Sequence, residues 1–231
     1  MPIGTLSEHS LHATLKRILS HPGDQTEVKL DGYWIDLVRQ VSESEQLLIE
    51  IQTSPLGGIR NKLRDLIQRH KVHVIHPIAL ERWIVRQDVE GRELGRRRSP
   101  SKGNMVYMFD ALVGCPDVMA HPNFTLEILL IIEEEIRRPH NPNKRRRWKR
   151  EWKTVDRKLI EIVERGLFET EHDVFGLLPM GLAPQFTCAE LAAQWGVPAY
   201  LSRRAVYCLR KLNMLTQQGK RGRAWLYGRP T

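Results

Sequence analysis

The chain has 231 residues, 41% hydrophobic and 27% charged, which gives room for a core and for two small domains and excludes a wholly disordered protein. Its 36 Lys and Arg against 27 Asp and Glu leave a net charge of +9, distributed as +2 over residues 1–98, −3 over 99–143 and +10 over 144–231. A basic C-terminal stretch points to a polyanion, most often nucleic acid, and the longest aliphatic run, Ile128–Ile132, is far too short for a membrane span.

In chain order, Ser7 as N-cap with Leu11, Leu15, Ile18 and Leu19 at helical spacing predicts a helix over 7–20, stopped by His21-Pro22-Gly23-Asp24. Three strands follow: Thr26–Leu30, Tyr33–Gln40 and Gln46–Gln52, the first two joined by the turn signal Asp31-Gly32. Pro55-Leu56-Gly57-Gly58 opens a second helix with Ile59, Leu63, Leu66 and Ile67 on its apolar face. Lys71–Ile78 and Arg82–Val85 read as two further strands, and Gly91–Gly103, with Arg96-Arg97-Arg98, as a linker or exposed loop. The order is α-β-β-β-α-β-β, an α/β pattern with a mixed sheet.

Beyond the linker, short helices are expected over 104–114 and 117–120. Residues 126–137 alternate like a strand, while Glu133-Glu134-Glu135 favours helix; the balance falls on one arm of a long hairpin, with 139–147 as tip and 148–154 as return. A helix is expected over 156–164. Thr187-Cys188-Ala189-Glu190 is a capping box, followed by a helix, the turn Gly196-Val197-Pro198, a helix over 199–213 and a basic hairpin around Gly219-Lys220-Arg221-Gly222.

Strand alternation carries the chemistry. Trp34, Asp36 and Val38 share one face of the second strand, and Leu48, Glu50 and Gln52 share one face of the third. Pairing through the apolar faces brings Asp36 and Glu50 to one polar face beside Gln52. Two converging carboxylates suit Mg²⁺, which keeps water and substrate phosphate as its other ligands.

With that order and those residues, the N-terminal part resembles the PD-(D/E)XK, or restriction-endonuclease-like, nuclease superfamily. The resemblance implies Asp36 and Glu50 as Mg²⁺ or Mn²⁺ ligands with the Ile51 carbonyl as a third, and Glu8 on the first helix as an auxiliary acid. The departure is Gln52, where the family usually has Lys; Lys62 or Arg60 on the next helix can supply the missing cation. Residues 171–229 resemble a winged helix-turn-helix, which implies that Ser202, Arg203, Tyr207 and Arg210 approach a major groove while Lys220, Arg221 and Arg223 meet phosphate. Winged helices also serve as docking modules. Lys144–Arg150, with Arg145, Arg146 and Arg147 beside Trp148, makes a basic tip suited to backbone contact and stacking.

The expected organisation is therefore a nuclease-like α/β domain over 1–98, a helical and hairpin connector over 99–154 and a mostly helical winged-helix region over 155–231. The expected activity is a metal-dependent phosphodiesterase of DNA-endonuclease type. The alternative is a non-catalytic DNA-binding regulator whose nuclease-like domain serves assembly. DNA is the expected partner, with RNA and a homodimer kept open. Three dispersed cysteines without a CxxC pair, and an N-terminus without a signal-peptide pattern, fit a reducing cytoplasm. His70, His73 and His76 recur every third residue, a spacing that does not align them on one strand face as metal ligands. Trp34, Trp83 and Trp195 read as core or edge packing residues and Cys188 and Cys208 as small apolar ones.

Overall fold

The computed structural model describes residues 10–139 and 152–230. Helix α1 (Ser10–Leu19) buries Leu11, Leu15 and Leu19, one stripe at helical spacing, and leaves Ile18 about half exposed. The Ser10 backbone N–H and hydroxyl both donate to the Asp156 carboxylate, at 2.9 and 2.5 Å. Ser7, the expected N-cap, lies outside the described residues.

Strands β1 (Gln25–Leu30) and β2 (Tyr33–Gln40) form a hairpin through Asp31 and Gly32, both at positive φ (50° and 85°), the primed turn that matches strand twist. Strand β2 pairs antiparallel with β3 (Gln46–Ile51), and β3 pairs parallel with β4 (Lys71–Gln87). A parallel join needs a crossover. A 3₁₀ turn at Leu56–Ile59 and helix α2 (Arg60–Leu66) supply it, burying Leu56, Leu63 and Leu66. At this crossover Gly57 lies against Gly114; a Cβ on Gly114 would stand 2.5 Å from the Gly57 Cα. Neighbouring residues such as Leu37 and Val38, or Leu48 and Ile49, are all buried, so both faces of these strands are covered.

The structure corrects several expectations. Residues 71–87 form one strand, not two, paired with β3 at its start and with a further strand over its last five residues. The expected linker contains strand β5 (Glu93–Arg98), antiparallel to β4 with Val85 opposite Arg96 and Trp83 opposite Arg98. An edge strand tolerates such charge, and the Arg96 guanidinium lies 4.6 Å from the Trp83 ring centroid. Strand β6 (Phe124–Pro139) pairs with β7 (Trp152–Phe168), so the helix expected over 156–164 is strand. Leu159, Ile160, Ile162 and Val163 satisfy helical spacing locally, but strand pairing overrides it. Glu133 is fully buried within β6, bound by the Arg82 Nε at 2.6 Å and the Arg157 Nη2 at 2.6 Å.

The fold class must be corrected too. An α/β N-terminal domain followed by a mostly helical region is not what forms. A seven-stranded mixed sheet, ordered β1-β2-β3-β4-β6-β7 with β5 on β4, draws strands from residues 25 to 168, and a separate two-stranded sheet lies near the C-terminus.

Two compact units emerge. One comprises Met1–His21, Pro77–Asn104 and Leu129–Arg165; the other comprises Pro22–His76, Met105–Ile128 and Gly166–Thr231. The first contains 21 Lys and Arg against 12 Asp and Glu, the second 15 against 15, so the whole net charge of +9 belongs to the first.

The second unit also holds helix α3 (Met108–Leu112), α4 (Glu171–Phe175), α5 (Cys188–Trp195), α6 (Ala199–Lys211), β8 (Thr216–Arg221) and β9 (Ala224–Gly228). The Thr187–Glu190 capping box opens α5, and Gly196 ends it in the left-handed conformation at φ 63°. Trp195 stacks on Phe109 of α3 at 5.9 Å and donates its indole N–H to the Leu177 carbonyl. Arg204 of α6 pairs with Asp110 at 2.8 Å. Phe186 bridges Tyr227, adding a third chain segment to the β8–β9 hairpin.

Candidate functional site

The β2–β3 register pairs Leu37 with Ile49 and Val38 with Leu48, so one further step sets Asp36 opposite Glu50 on the same face. The strands bring the two carboxylates together as the alternation predicts. Asp36 accepts the Ile51 backbone N–H at 2.8 Å, and Ile51 itself is buried. Glu50 is 9% exposed. The Lys62 ammonium, from α2, donates to its Oε1 at 2.5 Å and to the Trp34 carbonyl at 2.5 Å. Trp34 itself is 62% exposed, so it is not a core residue. Arg60, the other candidate cation, is an exposed residue at the start of α2.

Gln52 sits one row further along. Its amide donates to the Ser54 hydroxyl at 2.8 Å, its backbone N–H to Ile75, and its carbonyl lies 2.6 Å from the His76 Nδ1. His76 is 8% exposed, and the every-third-residue spacing of the histidines does not single it out. The signal that finds it is the parallel β3–β4 register, Ile51 opposite Ile75, which carries residue 76 alongside residue 52. Glu8 lies outside the described residues, as do Arg145, Arg146 and Arg147.

A second constellation lies at the C-terminal end. Arg203, Tyr207 and Arg210 follow one another at helical spacing on α6, and Arg223, Trp225 and Tyr227 face them from the hairpin across a groove of about 360 Å³. Tyr207 is 45% and Trp225 43% exposed. The Lys220 ammonium stands 4.1 Å from the Trp225 ring centroid and the Arg210 guanidinium 5.9 Å from that of Tyr227. Burial pushes the Tyr227 phenol and the Cys188 thiol at this groove above their ordinary values. Arg221 is paired with Glu190 at 2.5 Å. Ser202, expected on the outer face, is instead fully buried and donates its hydroxyl to the Ala199 carbonyl at 3.0 Å, so it does not reach a ligand.

No helix among the described residues is long and apolar enough to cross a membrane. No solved structure matches the chain. An uncharacterized protein of Treponema pallidum (strain Nichols) is 31% identical over 227 residues, covering 98% of this chain and 87% of that protein. The family model described as "Domain of unknown function (DUF8091)" matches residues 9–169, a span that holds α1 through β7. The chain thus belongs to the DUF8091 family.

Proposed function

We propose that the protein is a nucleic-acid-binding, metal-dependent phosphodiesterase whose chemistry centres on Asp36, Glu50 and Lys62. The observation that carries this reading is the convergence of all three: two carboxylates opposite each other on β2 and β3, with a lysine from the crossover helix 2.5 Å from one of them. The residues present fit a hard divalent cation. Asp36 and Glu50 supply carboxylate oxygens of the kind that Mg²⁺ or Mn²⁺ takes beside water and phosphate. Such an ion, when bound, lowers the pKa of a coordinated water and offsets charge building on the phosphorane.

The chain's own residues do the rest. The Ile51 N–H fixes the Asp36 carboxylate in place. Lys62 offsets the charge of Glu50 and offers an ammonium N–H to a phosphate oxygen or a water beside it. Gln52, a neutral amide, orients by hydrogen bonding only. His76, through the Gln52 carbonyl, is a positioning residue for that strand end. Engagement of substrate falls to the groove between α6 and the hairpin and to the basic residues of the first unit, by attraction to phosphate.

One observation favours the non-catalytic alternative. Lys62 bonds both Glu50 and the Trp34 carbonyl, so an ammonium already stands against the carboxylate that a cation would use. Incubation of the purified protein with supercoiled, linear and single-stranded DNA and with RNA, with Mg²⁺ or Mn²⁺ or with EDTA, separates the two. Metal-dependent cleavage that disappears in Asp36→Ala supports the enzyme. Nucleic-acid binding without cleavage under every condition supports the regulator.

A further inference from the structure

We propose that the groove between α6 and the β8–β9 hairpin binds one unstacked nucleotide of a single-stranded nucleic acid, so that the protein engages ends, flaps or single-stranded stretches rather than intact duplex. The inference rests on the nucleic-acid reading above, but not on metal catalysis.

Three observations carry it. First, the lining among the described residues holds three arginines and three aromatic rings and no carboxylate. This composition matches a ligand that is anionic at one end and has a π-face at the other, because every base offers a face to stack on and every nucleotide a phosphate. Second, Tyr207 and Trp225 keep over two-fifths of their surface in water although both line a concavity. Rings left exposed beside cations are the platforms on which bases stack. The flanking cations are on hand: Lys220 lies 4.1 Å from the Trp225 ring centroid and Lys211 5.9 Å from that of Tyr207.

The third observation is shape. Reading a duplex in the major groove requires a protruding helix. Here the Arg203–Tyr207–Arg210 stripe of α6 forms one wall of a concavity, with Trp225 and Tyr227 of β9 as the other. A volume of about 360 Å³ lies at the small end of ligand pockets, suited to a single nucleotide and too small for two paired strands. Arg203, Arg210 and Arg223 are placed to take the phosphates on either side of the bound base.

The test is fluorescence anisotropy with the full chain in EDTA, using end-labelled 12-nucleotide oligothymidylate, 12-nucleotide oligouridylate and a 12-base-pair DNA duplex. Oligothymidylate or oligouridylate should bind more tightly than the duplex, and the preferred one of the two identifies the DNA or RNA source. Trp225→Ala and Tyr207→Ala should each weaken single-strand binding between about 5- and 100-fold, while duplex binding changes less than about twofold. Trp225→Phe, which keeps a ring, should recover most of the loss and so excludes misfolding as its cause. Duplex preferred over both single strands, equal losses on both forms, or no loss in either alanine variant would overturn the proposal. Failure to bind any of the three probes overturns the nucleic-acid reading beneath it, whereas binding without metal-dependent cleavage leaves the proposal standing and removes only the enzyme.

Discussion

Lys62 reaches Glu50 from the crossover helix, 2.5 Å from its Oε1, while the strand position two residues after Glu50 carries a neutral amide. A lysine thus stands beside Glu50 in space, supplied one helix later in sequence. A side chain on α2 can do this because the parallel β3–β4 join folds the crossover back over the strand ends. The arrangement makes Lys62, not Gln52, a cation beside Glu50.

Lys62→Ala should lower any metal-dependent cleavage by about 100-fold or more, the usual loss when a fixed electrostatic partner is removed. It should also lower stability by removing an ion pair from a largely buried carboxylate, so rates must be compared well below the melting temperature. The double variant Lys62→Gln/Gln52→Lys moves the cation to the strand and should regain at least a tenth of wild-type activity. Unchanged cleavage in Lys62→Ala, measured on supercoiled DNA with Mg²⁺, would remove the lysine from the mechanism.

The local signals around this site were legible in the sequence. The strand alternation places Asp36 and Glu50 on one face, and the turn residues Asp31-Gly32 adopt the positive φ pair they suggest. Long-range pairing was not. Nothing local tells that Arg96-Arg97-Arg98 forms a strand, because its partner is Trp83–Val85 and the stabilising interactions are cross-strand. Glu133-Glu134-Glu135 has helical propensity, and arginines distant in sequence at 82, 96 and 157, with Arg137 nearby, pair these carboxylates within the strand. The charge excess misled in the same way. Counted along the chain it falls after residue 144; in the fold it belongs to the unit that also contains Met1–His21 and Pro77–Asn104.

The close approach of Gly57 and Gly114 holds the crossover that presents Lys62. A Cβ at Gly114 would meet the Gly57 Cα at 2.5 Å and its nitrogen at 2.9 Å, backbone atoms that cannot step aside. Gly114→Ala should therefore destabilise the protein by about 1–3 kcal/mol, read as a lowered denaturation midpoint in urea. Gly58→Ala, with open space around it, should change stability by less than about 0.5 kcal/mol and serves as the control.

Thiol chemistry should rank the three cysteines. Burial pushes Cys208 up to about 12 and Cys115 up to about 11, and raises Cys188 as well, but Cys188 alone of the three is half-buried rather than buried. Only the thiolate is nucleophilic. At pH 8 about one molecule in 10,000 carries the Cys208 thiolate and about one in 1,000 the Cys115 thiolate. Iodoacetamide labelling followed by peptide mass analysis should find Cys188 modified first, with Cys115 and Cys208 reacting only once the protein unfolds.

Acid should loosen the helix starts at Thr170 and Thr187. The backbone N–H groups of Glu169 and Thr170 hold the Asp173 carboxyl below its usual value of 3.8, and the Thr187 N–H and hydroxyl hold that of Glu190 below 4.5. A carboxylate whose folded pKa is depressed adds stability that is fully present above its unfolded pKa and is lost as pH falls through the folded one. Stability should thus be flat in these two contributions above about pH 5 and decline below about pH 4. Asp173→Asn and Glu190→Gln should each flatten the decline, measured by urea denaturation from pH 6 to pH 3. An unaltered acid limb in both variants would exclude the capping carboxylates as its source.

The first unit, which carries the whole net charge, should dominate the salt dependence of nucleic-acid binding. Of its basic residues, Arg96 also meets Glu134 and Trp83, and Arg98 meets Glu81, whereas the basic run Lys144–Arg150 holds six Lys and Arg without an acidic residue between them. On duplex DNA, each phosphate neutralised by the protein adds about 0.9 to the steepness of log K against log salt. Replacing Arg145, Arg146 and Arg147 together by Gln should flatten that slope by about 2–3, with weaker binding across all sequences. Replacing Lys220, Arg221 and Arg223 on the hairpin of the second unit should flatten it less, because that unit has no net charge and Arg221 is held by Glu190. The measurement is anisotropy of a labelled duplex from 50 to 300 mM KCl. A larger slope change from the hairpin variant than from the Arg145–Arg147 variant would mean that the C-terminal segment, not the basic unit, neutralises most of the phosphates.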